Sequence, residues 1–222
     1  LMNQQVLNLN LNNKVEFHDM EKLSFYNEIK KKVDDFILQD SHCVIFKGDE
    51  LINSYVFQGF YHLLHNKFKT IYLSLVDSES DLLNDLQRFD YIFVDAFNQC
   101  FQNKSSELNL FNLYNSTKLN GVKLVLNEVS SISNKALLPD LQSRINSNLE
   151  IIIPKLTDED KKNIIRIELR KRGLKINKNC LDFIMNHSSR NHETLQNLIN
   201  KLDLLTMERK KNITIPLIKE LI

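Results

Sequence analysis

Turn-forming residues are scarce in this sequence, which has only 4 glycines and 3 prolines among 222 residues. With its abundant asparagine and lysine, that scarcity is a compositional trait and carries no functional reading. Cysteine is also rare: Cys43, Cys100 and Cys180 show neither a CxxC pair nor zinc spacing, and an odd number makes a poor disulfide framework. They read as small buried hydrophobes of a protein kept in a reducing cytoplasm. No apolar run reaches the roughly 18 residues of a membrane span. The opening Leu1–Asn13 alternates leucine with asparagine and lacks the layout of a signal peptide. The formal net charge is +1, without the basic excess of a dedicated nucleic-acid binder. Among the histidines, His42, His62, His65 and His187 have no Cys or Asp at ligand spacing, so no metal or catalytic cluster is expected.

What is present fits a soluble chain of one large or two modest domains, 42% apolar and 26% charged. Leu23, Tyr26, Ile29, Val33, Phe36 and Ile37 recur at helical spacing and predict a helix over Glu21–Leu38, with Lys30, Lys31 and Lys32 on its solvated face. Short runs rich in Val, Ile, Phe and Leu follow at His42–Phe46, Lys69–Leu75, Asp90–Asp95, Val122–Leu126 and Leu149–Ile153. Helical patterns separate them, at about Ser54–Asn66, Ser80–Arg88, Lys104–Asn120 and Leu138–Asn146. Strands of this kind, buried on both faces, predict a five-stranded parallel sheet flanked by helices, an α/β fold. After Pro154 the strand signal ends. Thr157 can cap a helix whose first turn holds Asp158, Glu159 and Asp160, and three more helical patterns follow at Lys178–Ser188, His192–Arg209 and from Ile215. The expected organisation is a tail over 1–13, an α/β base over 14–154 and a small helical domain over 155–222.

The stretch Cys43–Tyr55 has the strand–loop–helix layout of a phosphate-binding P-loop, but most of the chemistry is missing. Such a loop needs glycines to turn successive N–H groups inward, then a Lys and a Ser/Thr. Only Gly48 and Ser54 remain. Glu50 and Ile52 stand where glycines are expected, and Asn53 stands at the lysine position. Tyr91–Asp95 reads as a Walker B strand ending in a carboxylate, Asp95, yet the next residue is Ala96 instead of a second acid. Leu126-Asn127 lies where a sensor residue belongs, and Asn127 serves if the register slips by one. The opening Gln4-Gln5-Val6-Leu7-Asn8-Leu9 reads by itself either as a terminal tail or as a docking peptide anchored by Gln4, Leu7 and Leu9.

A P-loop layout with a helical domain behind it is the AAA+ arrangement, and Leu138-Pro139-Asp140-Leu141-Gln142-Ser143-Arg144-Ile145 resembles the DnaA superfamily, within it the Hda family of replication regulators. The resemblance extends through Leu110–Asn115, Leu156–Lys161, Leu202-Asp203 and Thr214–Leu221. It implies an AAA+ base with a helical lid, no DNA-binding helix-turn-helix domain, and an amino-terminal peptide that docks on the DNA polymerase sliding clamp through Gln4, Leu7 and Leu9. It also implies that Arg144 acts in trans as an arginine finger on ATP held by DnaA, where such fingers contribute around 10³–10⁵ in rate. The plain alternative for Arg144 is a surface ion pair worth at most ~1 kcal/mol. Asn8 and Val6 depart from the usual clamp peptide. In the lid stretch Ser189–Leu195 the expected sensor arginine falls on Glu193, with Arg190 nearly one turn earlier.

Three nucleotide contacts are thus lost together, and ATP or ADP is expected to bind weakly or not at all. The expectation is a cytoplasmic, non-enzymatic regulator that docks on the clamp and switches off DnaA. The alternative is an adaptor that recruits DnaA or another AAA+ protein without stimulating hydrolysis. A homodimer is left open.

Overall fold

The computed structural model describes residues 16–48, 50–74, 88–129, 135–189, 192–209 and 212–222. Five parallel strands, β1 (Cys43–Lys47), β2 (Thr70–Ser74), β3 (Tyr91–Asp95), β4 (Lys123–Asn127) and β5 (Leu149–Ile152), lie in the order β2-β3-β4-β1-β5. The register pairs Val44 with Val125 on one side and with Leu149 on the other, so β1 lies inside the sheet between β4 and the edge strand β5.

Side-chain alternation along each strand divides the apolar residues between two cores. One face sends Val44, Phe46, Phe93, Val125 and Ile151 against α1 (Tyr26–Leu38) and α2 (Glu50–His65), where Phe36, Phe57 and Phe60 are fully buried. Ring centroids of Phe46, Phe57, Phe60 and Phe93 stand 5.3–5.8 Å apart. Each ring withdrawn from water contributes roughly 1.5–3 kcal/mol. The other face sends Ile45, Ile92, Val94, Leu124 and Leu126 against α3 (Lys104–Leu119) and α4 (Pro139–Asn146). A third core is confined to the carboxy-terminal helices α5 (Asp158–Lys171), α6 (Lys178–His187), α7 (His192–Arg209) and α8 (Ile215–Lys219), with Leu169, Ile184, Leu202 and Ile218 at its centre. All three cysteines are buried and free. No helix among the described residues is long and apolar enough to cross a membrane.

The helix expected over Glu21–Leu38 is broken in two, a 3₁₀ turn at Phe17–Lys22 followed by α1. The break has a polar cause. Asp160, three residues into α5, accepts hydrogen bonds from the Ser24 amide (2.7 Å) and hydroxyl (2.8 Å) while also closing the Thr157 capping box. Burial alone would raise the Asp160 carboxyl, but the bonds from Thr157 and Ser24 outweigh it and hold the group below its ordinary value. The first turn of the helical domain is thereby fastened to the base. The 3₁₀ turn adds a second tie, since Asp19 lies 2.9 Å from Lys171 and 3.3 Å from Arg170. At its other end α1 has no basic residue of its own in the last turn. Lys123 of β4 reaches across instead and bonds the carbonyls of Phe36 (2.6 Å), Ile37 (3.1 Å) and Gln39 (2.7 Å).

The helix expected from Ser54 begins four residues earlier, at Glu50. Without glycines at Glu50 and Ile52, nothing holds the chain open, and helical hydrogen bonding takes over directly after the turn. Except for Arg88, the helix expected at Ser80–Arg88 lies outside the described residues.

Candidate functional site

The connection from β1 to α2 is reduced to two residues, Gly48 and the one after it. A side-chain carbon at Gly48 would stand 2.8 Å from the Ile153 carbonyl oxygen, so glycine here serves the close approach of two backbones. Glu50 opens α2, placing its main chain in a helix instead of a phosphate nest. Ile52 is 2% exposed and belongs to the apolar core with Val56 and Phe57.

Asn53 is fully buried and turned into the top of the sheet. Its amide nitrogen donates to the Asn127 side-chain oxygen (2.6 Å), the Glu128 carbonyl (2.9 Å) and the Phe46 carbonyl (3.3 Å). Asn127 in turn donates to Asp95 Oδ1 (2.6 Å) and, more weakly, to Ser54 Oγ (3.4 Å). The second Asp95 oxygen accepts the Tyr72 hydroxyl, whose pKa is raised first by burial and then by the Asp95 charge. Ala96, in the place of the second Walker B acid, adopts the left-handed region (φ 49°) and leads into a 3₁₀ turn at Phe97–Cys100.

Asn53, Ser54, Asp95 and Asn127 are therefore brought together, but they bond one another. Among the described residues no cation belongs to this network. Lys47 nearby is held by Glu150 (2.6 Å) and Glu128 (3.6 Å). As a seat for nucleotide phosphates and magnesium, the set does not fit: the position that should supply a positive charge holds an amide aimed inward. Glu193 lies in the first turn of α7, while Arg190 and the segment containing Gln4, Leu7 and Leu9 fall outside the described residues. Among the described residues there is no group of three or more His, Cys, Asp or Glu able to hold a metal ion.

Arg144 occupies the last turn of α4, on the opposite face of the sheet from α2. Proline at the first position, together with an anchored entry, sets this helix. Glu107 of α3, fully buried, accepts the amides of Leu137 (2.9 Å) and Leu138 (2.8 Å) just before α4 and that of Gln102 (3.0 Å). At the far end the Arg144 carbonyl accepts Asn148 Nδ2 (2.5 Å) and Ser147 Oγ (2.8 Å). The guanidinium carbon lies 4.9 Å from the centre of the Phe111 ring and 5.7 Å from that of Tyr114. Its Nε is buried without a hydrogen-bond partner. The ion pair that was the plain alternative is not formed with any described carboxylate. Sequence reasoning placed Phe111 and Tyr114 only within the helical pattern over Lys104–Asn120 and the stretch Leu110–Asn115 that carries the resemblance, and passed over Glu107 and Asn148. Only the three-residue spacing of the two rings gave a signal, and it is shared by any amphipathic helix.

A family model described as the Hda lid domain matches residues 158–222, the whole of α5 to α8. An uncharacterized protein of Haemophilus influenzae is 28% identical over 166 residues, covering 72% of this chain and 71% of that one. The fold is similar to domain III of the Thermotoga maritima replication initiation protein DnaA (TM-score 0.74, 16% identity), over 94% of this chain and 97% of that one. It is also similar to AMPPCP-bound DnaA from Aquifex aeolicus (TM-score 0.66, 16% identity, 89% and 68% covered). The Thermotoga maritima RuvB branch migration motor shares it as well (TM-score 0.64, 14% identity, 92% and 72% covered). The carboxy-terminal helices thus match the Hda lid-domain model, and the chain as a whole has the fold of DnaA domain III.

Proposed function

We propose that this protein is a regulator of DNA replication initiation that works through a partner's nucleotide and has no ATPase cycle of its own. Docked on the sliding clamp through Gln4, Leu7 and Leu9, it presents Arg144 to ATP-bound DnaA and promotes hydrolysis, in the cytoplasm. The observation that carries this reading is Arg144 itself: a charged side chain on a rigidly anchored helix, with no described carboxylate to neutralise it. A guanidinium in that condition can stabilise charge developing on a phosphate brought by another protein. The inward-bonded Asn53–Asn127–Asp95 network supports the second half of the reading, weak or absent binding of ATP and ADP.

The test is the turnover of DnaA-bound ATP in the presence of clamp on primed DNA. Addition of the chain is expected to raise turnover, and Arg144→Ala to abolish the increase. If neither protein changes turnover, the proposal fails. Retained DnaA binding with unchanged turnover selects the adaptor instead. Isothermal titration of the chain with millimolar ATP is expected to show no heat of binding, and saturable heat would return it to the ATPases.

A further inference from the structure

The setting of Arg144 is unusual in what it omits. A half-buried cation ordinarily takes a carboxylate as partner, yet here two rings on adjacent turns of α3 occupy that position. Tyr114 is fixed independently of the arginine. Its hydroxyl donates to Asn148 Oδ1 (3.0 Å), and its ring meets His42 edge-on with centroids 4.9 Å apart. Asn148 also donates to the Arg144 carbonyl (2.5 Å). One residue therefore ties the ring and the arginine main chain together, and the Phe111 ring centre lies 4.9 Å from the guanidinium carbon.

A carboxylate partner would orient the guanidinium but also neutralise it, and an incoming anion would have to displace that partner first. A ring face attracts a cation without cancelling its charge or filling its N–H donors. The buried Nε also has no hydrogen-bond partner, so no internal acceptor orients the guanidinium through it.

We infer that Phe111 and Tyr114 are positioning residues, an aromatic seat that keeps the Arg144 guanidinium oriented and free of an internal counter-ion for an anionic group supplied by a partner. This rests on the reading of Arg144 as a trans-acting residue. The seat acts only through Arg144 and touches no reacting atom.

Two measurements on the full chain test it. In the ¹H–¹⁵N spectrum, the Arg144 Nε–H signal, identified by its loss in Arg144→Lys, is expected to be displaced upfield by the rings and to move back in Phe111→Leu. In the DnaA–ATP assay, Phe111→Leu is expected to lower maximal stimulated turnover roughly 2–10-fold with the half-saturating concentration of the chain unchanged. Phe111→Tyr, which keeps a ring face, is expected to restore it. Phe111→Glu, which supplies the missing carboxylate, is expected to reduce turnover at least as far as leucine does. Thermal unfolding of each variant separates loss of fold from loss of orientation, and losses of turnover that simply follow Tm overturn the inference. An Arg144 signal that is not ring-shifted, or is unmoved in Phe111→Leu, also overturns it, whatever the turnover. If the signal is shifted as expected but Arg144→Ala leaves turnover untouched, the trans-acting reading falls and the positioning role falls with it, while the seat itself stands.

Discussion

Glu107 decides whether α4 is held where it stands, and its removal can be costed from the geometry. The carboxylate is fully buried and accepts three main-chain amides: Gln102 at 3.0 Å and Leu137 at 2.9 Å on one oxygen, Leu138 at 2.8 Å on the other. A hydrogen bond to a charged acceptor contributes about 1.5–3 kcal/mol. Adding three such values overstates the effect, because alanine also removes the penalty of burying the charge and lets water approach the part-buried amides. A net loss of about 2–4 kcal/mol is expected for Glu107→Ala. Glu107→Gln keeps the shape and one accepting oxygen but turns an NH₂ toward one amide, so about 1–2 kcal/mol is expected. In urea, with a slope of about 2 kcal/mol/M, the alanine midpoint should fall by about 1–2 M and the glutamine midpoint by about half as much. An alanine shift below about 0.3 M, or equal shifts in the two variants, would refute the assignment of α4 anchoring to this carboxylate.

Two further outcomes follow from buried polar groups. Asn53→Leu leaves the Asn127 side-chain oxygen and the Glu128 carbonyl without their donor, and a loss of about 2–4 kcal/mol in chemical denaturation is expected; a loss below about 0.5 kcal/mol would show that the network is dispensable. His42 gives a pH signature. Its pKa is depressed to about 4, first by burial and then by Lys118, and its Nδ1 is buried without a partner while Nε2 meets Thr117 Oγ1 at 2.9 Å. Between about pH 6.5 and 4 the unfolded chain takes up a proton that the folded chain refuses, so stability falls as pH falls through that window and is flat above it. For a partly exposed ring the loss is about 1–2 kcal/mol. Tm recorded at pH 7.5 and 4.5 should therefore drop more in the native chain than in His42→Gln, and equal drops would count against it.

The sheet, its helices and the helical end were readable because both periodicities are strong: every strand run in Val, Ile, Phe and Leu became a strand within about two residues. The misses at α1 and around Asn53 share one physical origin, polar contacts between residues far apart in sequence. The break before α1 is imposed by Asp160, 136 positions from Ser24, and no local pattern announces it. The early start of α2 is different in kind. The missing glycines were visible, and their consequence, a helix that continues to the end of the loop, follows from ordinary helix propagation. At the site, the composition of the failed loop was legible, whereas the partners of Asn53 were not, because they lie on β1 and β4. Arg144 was found by motif, but its aromatic seat needed α3 and α4 side by side.

The two polar centres on opposite faces of this sheet are built on contrasting rules. Around Asn53, groups that a nucleotide site would turn toward its ligand are consumed internally: Asp95 by Tyr72 and Asn127, Asn127 by Asn53, and Asn53 by the ends of β1 and β4. Around Arg144, polar groups are spent on the main chain of α4 and its approaches, through Glu107, Ser147 and Asn148, while the one charged head is left with ring faces and no described carboxylate. The donors of this network are spent within the protein, which adds rigidity, while the buried Asn53 side-chain oxygen has no partner among the described residues. A cation kept oriented and unneutralised gains most when an anion arrives, since its desolvation has already been met by folding. On the proposed reading, the same chain holds its shape without a nucleotide and offers a charge to one bound elsewhere.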